Sequence, residues 1–336
     1  HHRPRAAVSF PRRRFLASMG AWSVAASAYE FPPRLRSDMQ TFVDRIVEKH
    51  DLDGVRVNAL LMEARIEPRV LQSMATPGTA RPWKQFRGVY LNRSRIDGGV
   101  AFWNANARTL ERARDTFGVA PEFIVAIVGV ETVYGKITGT YRVLDALVTL
   151  AFEGDRRVEY FQSELEELVL LARDGIVDPL VVKGSYAGAM GWPQFMPSSL
   201  RKHAVDFDRD GRIDLWGSPE DVIGSVANYF RNFGWTLGAD VALRARAAPG
   251  KALDDLVAQG IRPTADRAVL EQAGILTDRP LKEGERAAVL LFEGEQGPEV
   301  WLGLDNFYVI SRYNRSQNYA LAVTQLAQAL LQARRA

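Results

Sequence analysis

From residue 37 to about residue 75 the apolar positions Met39, Phe42, Val43, Ile46 and Val47, then Leu60 and Leu61, recur at three- and four-residue spacing. This predicts short packed helices, with Pro68 placed to open another turn. Residues 92–117 continue as a helix, and Pro121 starts a more apolar one that Gly135 ends. After Asp155, a residue type suited to an N-cap, Val158, Phe161, Leu165, Leu168 and Ala172 fall on one helical face. Gly184 to Gly191 reads as a glycine-punctuated loop. Ser218-Pro219 opens a helix carrying Ile223, Val226, Ala227 and Phe230, and a last helix runs over about 319–333. The β signal comes late, where 287–292 and 299–304, separated by Glu-Gly-Glu-Gln-Gly-Pro, read as a hairpin. The pattern predicts a mainly α (α+β) fold with a small late β element, without internal repeats.

The 336 residues suit two closely packed domains or one large elaborated one. Of 43 lysines and arginines set against 40 acids, five arginines lie in residues 1–28, which hold no acid, so the remainder carries −2. The basicity is local, and a surface that tracks a nucleic-acid backbone is not expected. The absence of cysteine excludes a disulfide, a thiolate metal site, a catalytic thiol and a lipid-anchored N-terminal cysteine. Beyond His1 and His2 only His50 and His203 remain, too few for a multi-histidine metal centre. Pro11-Arg12-Arg13-Arg14-Phe15-Leu16 fits a twin-arginine pattern, an uncharged stretch follows, and Ala26-Ser27-Ala28 supplies small residues for cleavage. Residues 1–28 therefore read as a signal peptide. The stretch is shorter than the ~20 apolar residues of a membrane span, so the expected product is periplasmic and soluble, with no integral membrane segment.

Glu131 is the most informative position for chemistry. In Ile127-Val128-Gly129-Val130-Glu131-Thr132-Val133-Tyr134-Gly135 its neighbours three and four residues away are Ile127, Val128, Tyr134 and Gly135, so its carboxylate lies on an apolar face. It also sits in the last turn of its helix, where the dipole disfavours an anion. Both effects favour the protonated form, which a general acid requires; a glutamate reaching solvent at a frayed end is the alternative. Asp206-Phe207-Asp208-Arg209-Asp210-Gly211-Arg212-Ile213-Asp214 matches the first nine positions of an EF-hand calcium loop. Position twelve is Gly217, so a closing ligand must come from further on, from Asp221 or Glu220, although Ser218-Pro219-Glu220-Asp221 also reads as a capping box. Arg156 and Arg157, at the start of a helix where the dipole disfavours cations, hint at an acidic or carbonyl-bearing ligand, the alternative being two solvated arginines on a surface turn. Tyr229, Tyr308, Tyr313 and Tyr319, with Phe86, Trp83 and Trp192, are candidates for stacking on sugars or for the core.

Together these segments resemble the lytic transglycosylase B family, which cleaves bacterial peptidoglycan. The likeness runs through residues 29–336 and is densest in 130–139, 145–152, 185–199, 206–216, 224–229 and 306–319. It implies a lysozyme-like catalytic core at 119–235 containing the calcium loop at 206–221. A helical part at 35–118 and a small α/β part at 250–304 flank that core, and 305–336 return to it. By the resemblance, Glu131 is the catalytic acid and Ser185 and Gln194 line the sugar cleft. Arg156 and Arg157 lie near bound glycan and peptide, and Tyr229, Tyr313 and Tyr319 are cleft tyrosines. Asp206, Asp208, Asp210, the Arg212 carbonyl and Asp221 are ligands of a structural calcium. Phe86 stands where the family has tyrosine, which leaves stacking without a hydroxyl, and the calcium loop has one extra residue before its closing acid. The implied partners are glycan strands and muropeptides, with no organic cofactor. The implied reaction cleaves the bond between N-acetylmuramic acid and N-acetylglucosamine with one carboxylate and leaves a 1,6-anhydro ring. A hydrolase acting on that bond would need a second acid, such as Asp145 or Glu159. A calcium-stabilised peptidoglycan-binding protein without catalysis is favoured if Glu131 is fully exposed and its replacement changes nothing.

Overall fold

The computed structural model describes residues 30–75 and 81–335; the export segment expected at 1–28, with Arg12, Arg13 and Ala26-Ser27-Ala28, lies outside the described residues. Helical periodicity in the first third produces α1 (Pro33–His50), α2 (Gly54–Met62), α3 (Pro68–Ala75), α4 (Trp83–Tyr90), α5 (Arg93–Ala105) and α6 (Ala107–Phe117). The single helix expected over 92–117 is thus broken. Asn106, at φ −116° and ψ 21°, ends α5 and begins α6, and its side-chain amide donates back to the Phe102 carbonyl at 2.9 Å.

The most apolar segment becomes α7 (Pro121–Thr132), with Pro121 in its first turn and all but a few of its residues buried. It is followed by β1 (Tyr141–Arg142), α8 (Val143–Phe152), α9 (Val158–Arg173), β2 (Lys183–Gly184), α10 (Pro197–His203) and α11 (Pro219–Asn232). The N-cap of α9 is Arg157, at φ 57°, and Asp155 lies outside the helix. β1 and β2 pair antiparallel, Tyr141 opposite Gly184 and Arg142 opposite Lys183. The glycine-punctuated loop that follows folds back through bridges from Met190 to Gly184 and to Phe195.

The last third contains β3 (Ala242–Arg246), α12 (Lys251–Val257), α13 (Arg267–Gln272), β4 (Leu276–Thr277), β5 (Ala288–Gly294), β6 (Gly297–Gly303), α14 (Asp305–Tyr313) and α15 (Gln317–Arg335). The expected hairpin forms, but its strands extend inward until Gly294 opposes Gly297, leaving a two-residue turn where six had been expected. β3 and β4 join it in an antiparallel sheet of order β4-β3-β6-β5. Under that sheet, Ala245, Leu253, Leu256, Leu270, Val289 and Leu302 belong to a second, smaller core. The main core unites the helices, and α7 is packed by α5, α6, α11 and α15. Among the described residues no helix is long and apolar enough to cross a membrane.

Three consecutive residues after α7, Val133, Tyr134 and Gly135, take left-handed φ values of 51°, 60° and 82°. Such a conformation is unfavourable for a β-branched residue and needs support from its surroundings. The Val133 and Tyr134 amides donate to the Gly129 and Val128 carbonyls, each at 3.2 Å, and the Tyr134 hydroxyl donates to the Arg95 carbonyl at 2.8 Å. The tyrosine ring lies against Gly98, Gly99 and Gly129; a Cβ would collide with it at Gly99 and Gly129 and crowd it at Gly98. A Cβ on Gly99 would sit 2.3 Å from both the Leu330 side chain and the Tyr134 hydroxyl, whereas one on Gly88 would meet nothing within 4 Å. Gly99→Ala should therefore destabilise the fold by about 1–3 kcal/mol through overpacking. Gly88→Ala, in the interior of α4, should instead be stabilising by about 0.5–1 kcal/mol. Thermal melts of the two variants check the pair, with opposite shifts expected.

Candidate active site

Glu131 is the penultimate residue of α7 and is half-buried. Its Oε1 accepts a hydrogen bond of 2.5 Å from the hydroxyl of Tyr319, in the first turn of α15. Burial pushes the Glu131 carboxyl up to about 7, against the opposing influence of the Tyr319 hydrogen bond, which favours the ionised form. Near neutrality the group can therefore hold a proton and can also take one up.

The carboxyl faces a cleft of about 520 Å³. Phe86, Val89 and Tyr90 line it from α4, Ser185, Tyr186, Gln194 and Met196 from the glycine loop, and Tyr313 and Asn314 from the end of α14; Arg81 completes the rim. The Ser185 Oγ accepts the amides of Ala187 at 3.2 Å and Ala189 at 3.1 Å, which leaves its own proton free to be donated. Gln194, held at φ 52°, gives its Nε2 hydrogens to the carbonyls of Thr138 at 3.1 Å and Gly191 at 2.9 Å. Its Oε1 remains as an acceptor with no partner among the described residues.

Behind this wall the tyrosines form a buried stack. Tyr319 and Tyr313 are stacked with centroids 6.4 Å apart, and Tyr313 meets Tyr229 at 4.7 Å. Tyr313 donates to the Pro193 carbonyl at 2.6 Å and Tyr229 to the Arg312 carbonyl at 2.7 Å. Burial, with the Glu131 charge next in order, holds the Tyr313 and Tyr319 hydroxyls well above the usual phenol range.

The expected site residues are thus brought together unevenly. Glu131, Phe86, Ser185, Gln194 and Tyr313 line the cleft, and Tyr319 reaches it through Glu131. Tyr229 does not line it, because its hydroxyl is committed to main chain and its ring is packed beneath Tyr313. Arg156 and Arg157 do not line it either; both are exposed at the start of α9, and the Arg157 guanidinium lies 4.0 Å over the Tyr160 ring. Sequence reading missed Arg81, Tyr90, Tyr186, Met196 and Asn314. A signal for Tyr90 was present, since it follows Phe86 by four residues on one helical face, and the two rings lie 4.7 Å apart.

At the acidic loop, Asp206, Asp208 and Asp210 each offer a carboxylate oxygen, all within 4.8 Å of one another. The loop is shaped by its own side chains. The Asp210 amide donates to Asp206 and Asp208, both at 3.1 Å, the Gly211 amide to Asp206 at 2.9 Å and the Arg212 amide to Asp210 at 2.8 Å. A set of hard oxygen donors fits calcium. Asp221 lies outside the three-carboxylate group. It is buried, and it accepts the amides of Phe207 at 2.6 Å, Asp208 at 3.3 Å and Asp214 at 2.8 Å. The capping box is half formed, since Ser218 accepts the Asp221 amide at 3.2 Å while the Asp221 carboxylate faces the loop.

Comparison with known proteins matches residues 34–328 to the transglycosylase SLT domain. The chain is 43% identical over 306 residues to the membrane-bound lytic murein transglycosylase B of Escherichia coli (strain K12), covering 88% of this chain and 83% of that protein. Among solved structures, the soluble lytic transglycosylase SltB1 of Pseudomonas aeruginosa superposes with a TM-score of 0.81 at 43% identity, over 90% of this chain and 100% of that one. The Escherichia coli lytic transglycosylase Slt35 in complex with calcium gives 0.79 at 42% identity, over 90% and 94%. The mainly α architecture with small sheets and a lysozyme-like core is the one these enzymes share. A domain match across nearly the whole described chain, with Glu131 half-buried at the head of a cleft, leads to one conclusion: the chain belongs to the transglycosylase SLT family and is a peptidoglycan lytic transglycosylase.

Proposed function

We propose that Glu131 alone serves as acid and then as base in this cleavage. The observation that carries the reading is that Glu131 is the sole acid among the described residues lining the cleft. Asp145 is held by Arg142 at 2.6 Å and lines a different concavity, and Glu159 is exposed on α9. Activation of water by a second carboxylate, as glycosidases of the usual kind require, therefore has no group to perform it. Protonated Glu131 gives its proton to the oxygen joining N-acetylmuramic acid to N-acetylglucosamine, while the 2-acetamido group stabilises the charge developing at the anomeric carbon. The carboxylate, held by the Tyr319 hydroxyl, then takes the proton of the muramoyl 6-hydroxyl as that oxygen closes the 1,6-anhydro ring. No water is consumed. Ser185 as donor and the Gln194 Oε1 as acceptor orient the sugars, and the exposed Arg156 and Arg157 contact the strand beyond the cleft; Phe86, 2% exposed and packed on Trp83 and Tyr90, backs the wall and does not offer the stacking face expected of it.

Asp206, Asp208 and Asp210, with the Arg212 carbonyl, hold a calcium ion that supplies no chemistry, while Asp221, expected as the closing ligand, instead ties α11 to the loop through the Phe207, Asp208 and Asp214 amides. The Slt35 calcium complex supports this assignment, as does the donor set. The twin-arginine pattern of residues 11–16 supports a periplasmic location. The smaller core beneath the sheet supports a separate small α/β part, while the helical and catalytic parts share the main core.

Glu131→Gln should retain the melting temperature and lose nearly all turnover, since a positioned acid contributes typically ~10²–10⁴-fold and here serves two steps. Mass spectrometry of muropeptides from digested sacculi is the check. Wild-type protein should release anhydro products one water lighter than hydrolysed ones, and hydrolysed products would overturn the mechanism. A calcium chelator should lower the melting temperature, and Asp208→Ala combined with Asp210→Ala should lower it similarly and abolish the chelator response. A ligand at a hundredfold excess over its Kd stabilises by ~2.7 kcal/mol. Identical melts of verified metal-free and calcium-loaded protein would contradict the site.

A further inference from the structure

A second concavity, of about 560 Å³, is lined in part by Arg142 and Lys183 of the β1–β2 ladder. The two concavities share a stretch of chain. Lys183, opposite Arg142 in the ladder, lines the second concavity, and Ser185, two residues on, lines the cleft. Gln194 of the cleft donates to the Thr138 carbonyl, in the segment that leads from α7 into β1.

Arg65, Arg69, Arg142 and Lys183 face Glu67 and Asp145 there, four cations against two acids. Asp145 is fully committed. Its Oδ2 accepts Arg142 Nε at 2.9 Å, and its Oδ1 accepts Arg142 Nη2 at 2.6 Å and the Arg65 amide at 2.8 Å. Arg142 Nη2 also donates to the Glu63 carbonyl at 2.6 Å, so this pair forms a fixed floor. The exposed side chains of Arg65, Arg69 and Lys183 have no ion-pair partner among the described residues, and Glu67 is the one acid left to offset them. Three unpaired cations around a concave surface raise the local concentration of anions, and guanidinium groups suit carboxylates in particular.

We propose that this concavity binds the carboxylates of the acidic peptide stem carried by a glycan strand whose sugars occupy the cleft. The inference rests on the peptidoglycan reading of that cleft and extends it to the peptide. Sugar is gripped in the cleft and peptide charge in the concavity beside Lys183, so the site selects strands that still bear stems.

Arg65→Glu combined with Lys183→Glu tests this on two substrates, glycan strands with their stems and the same strands stripped of stems by an amidase. KM on peptide-bearing strands should rise about two- to tenfold, and the rise should shrink at high salt. On stripped strands KM should change little, and kcat should hold on both. The neutral variant, Arg65→Gln with Lys183→Gln, should show a smaller shift in the same direction, and melting temperatures establish that both variants fold. An unchanged KM on peptide-bearing strands, or equal changes on the two substrates, would overturn the inference while leaving the cleft reading intact. Failure of the wild-type protein to release anhydro products from either substrate would overturn that reading and this inference with it.

Discussion

The active site depends on keeping one carboxyl group out of water while leaving its outer side open to a cleft. Glu131 achieves this by ending a helix whose other residues are almost all buried, and by meeting the hydroxyl of a tyrosine 188 positions further along the chain. The C-terminal segment must therefore return to the middle of the molecule, and α15 packs along α7 to do so. The left-handed stop at Val133, Tyr134 and Gly135 fixes where the helix ends, and the Tyr134 ring, seated on Gly98, Gly99 and Gly129, holds that stop in place. The conformational cost of the stop is offset by packing elsewhere.

Burial of an acid also opposes stability. With its folded-state pKa raised to about 7, Glu131 binds its proton more tightly in the folded chain than in the unfolded one. Its contribution is most favourable below the ordinary carboxyl pKa and is lost as pH rises through that value toward 7, by an amount of up to about 3 kcal/mol. The Tyr319 hydroxyl recovers part of this by stabilising the anion, and the stack through Tyr313 to Tyr229, anchored to the Pro193 and Arg312 carbonyls, keeps that hydroxyl in place. The tyrosines thus serve the acid from behind, and the surface offered to sugar is supplied by the glycine loop and α4.

Much of this was legible in the sequence because it rests on local pattern. The apolar face around Glu131, Pro121 at its start, the Ser218 cap and the late hairpin each follow from spacing of a few residues. The break at Asn106 was not legible, because both halves continue one periodicity and the break is fixed by cap geometry. β3 was missed because five residues with mixed polarity become a strand only when β6 lies beside them. The position of Arg157 outside the cleft, and of Tyr229 beneath its wall, depends on contacts between distant segments. Tyr319 was placed near the acid by family resemblance alone, since nothing local to residue 319 indicates a partner at residue 131.

The central claim is that burial raises the Glu131 carboxyl to neutrality while Tyr319 holds it. The most direct test is a titration of that carboxyl by carbon-13 NMR in protein carrying side-chain-labelled glutamate, with the resonance assigned by its loss in Glu131→Gln. The account predicts a midpoint near the value of about 7 given by burial, moving upward in Tyr319→Phe because the bond that favours the anion is gone. A midpoint in the ordinary carboxyl range, or a downward shift in Tyr319→Phe, would contradict it.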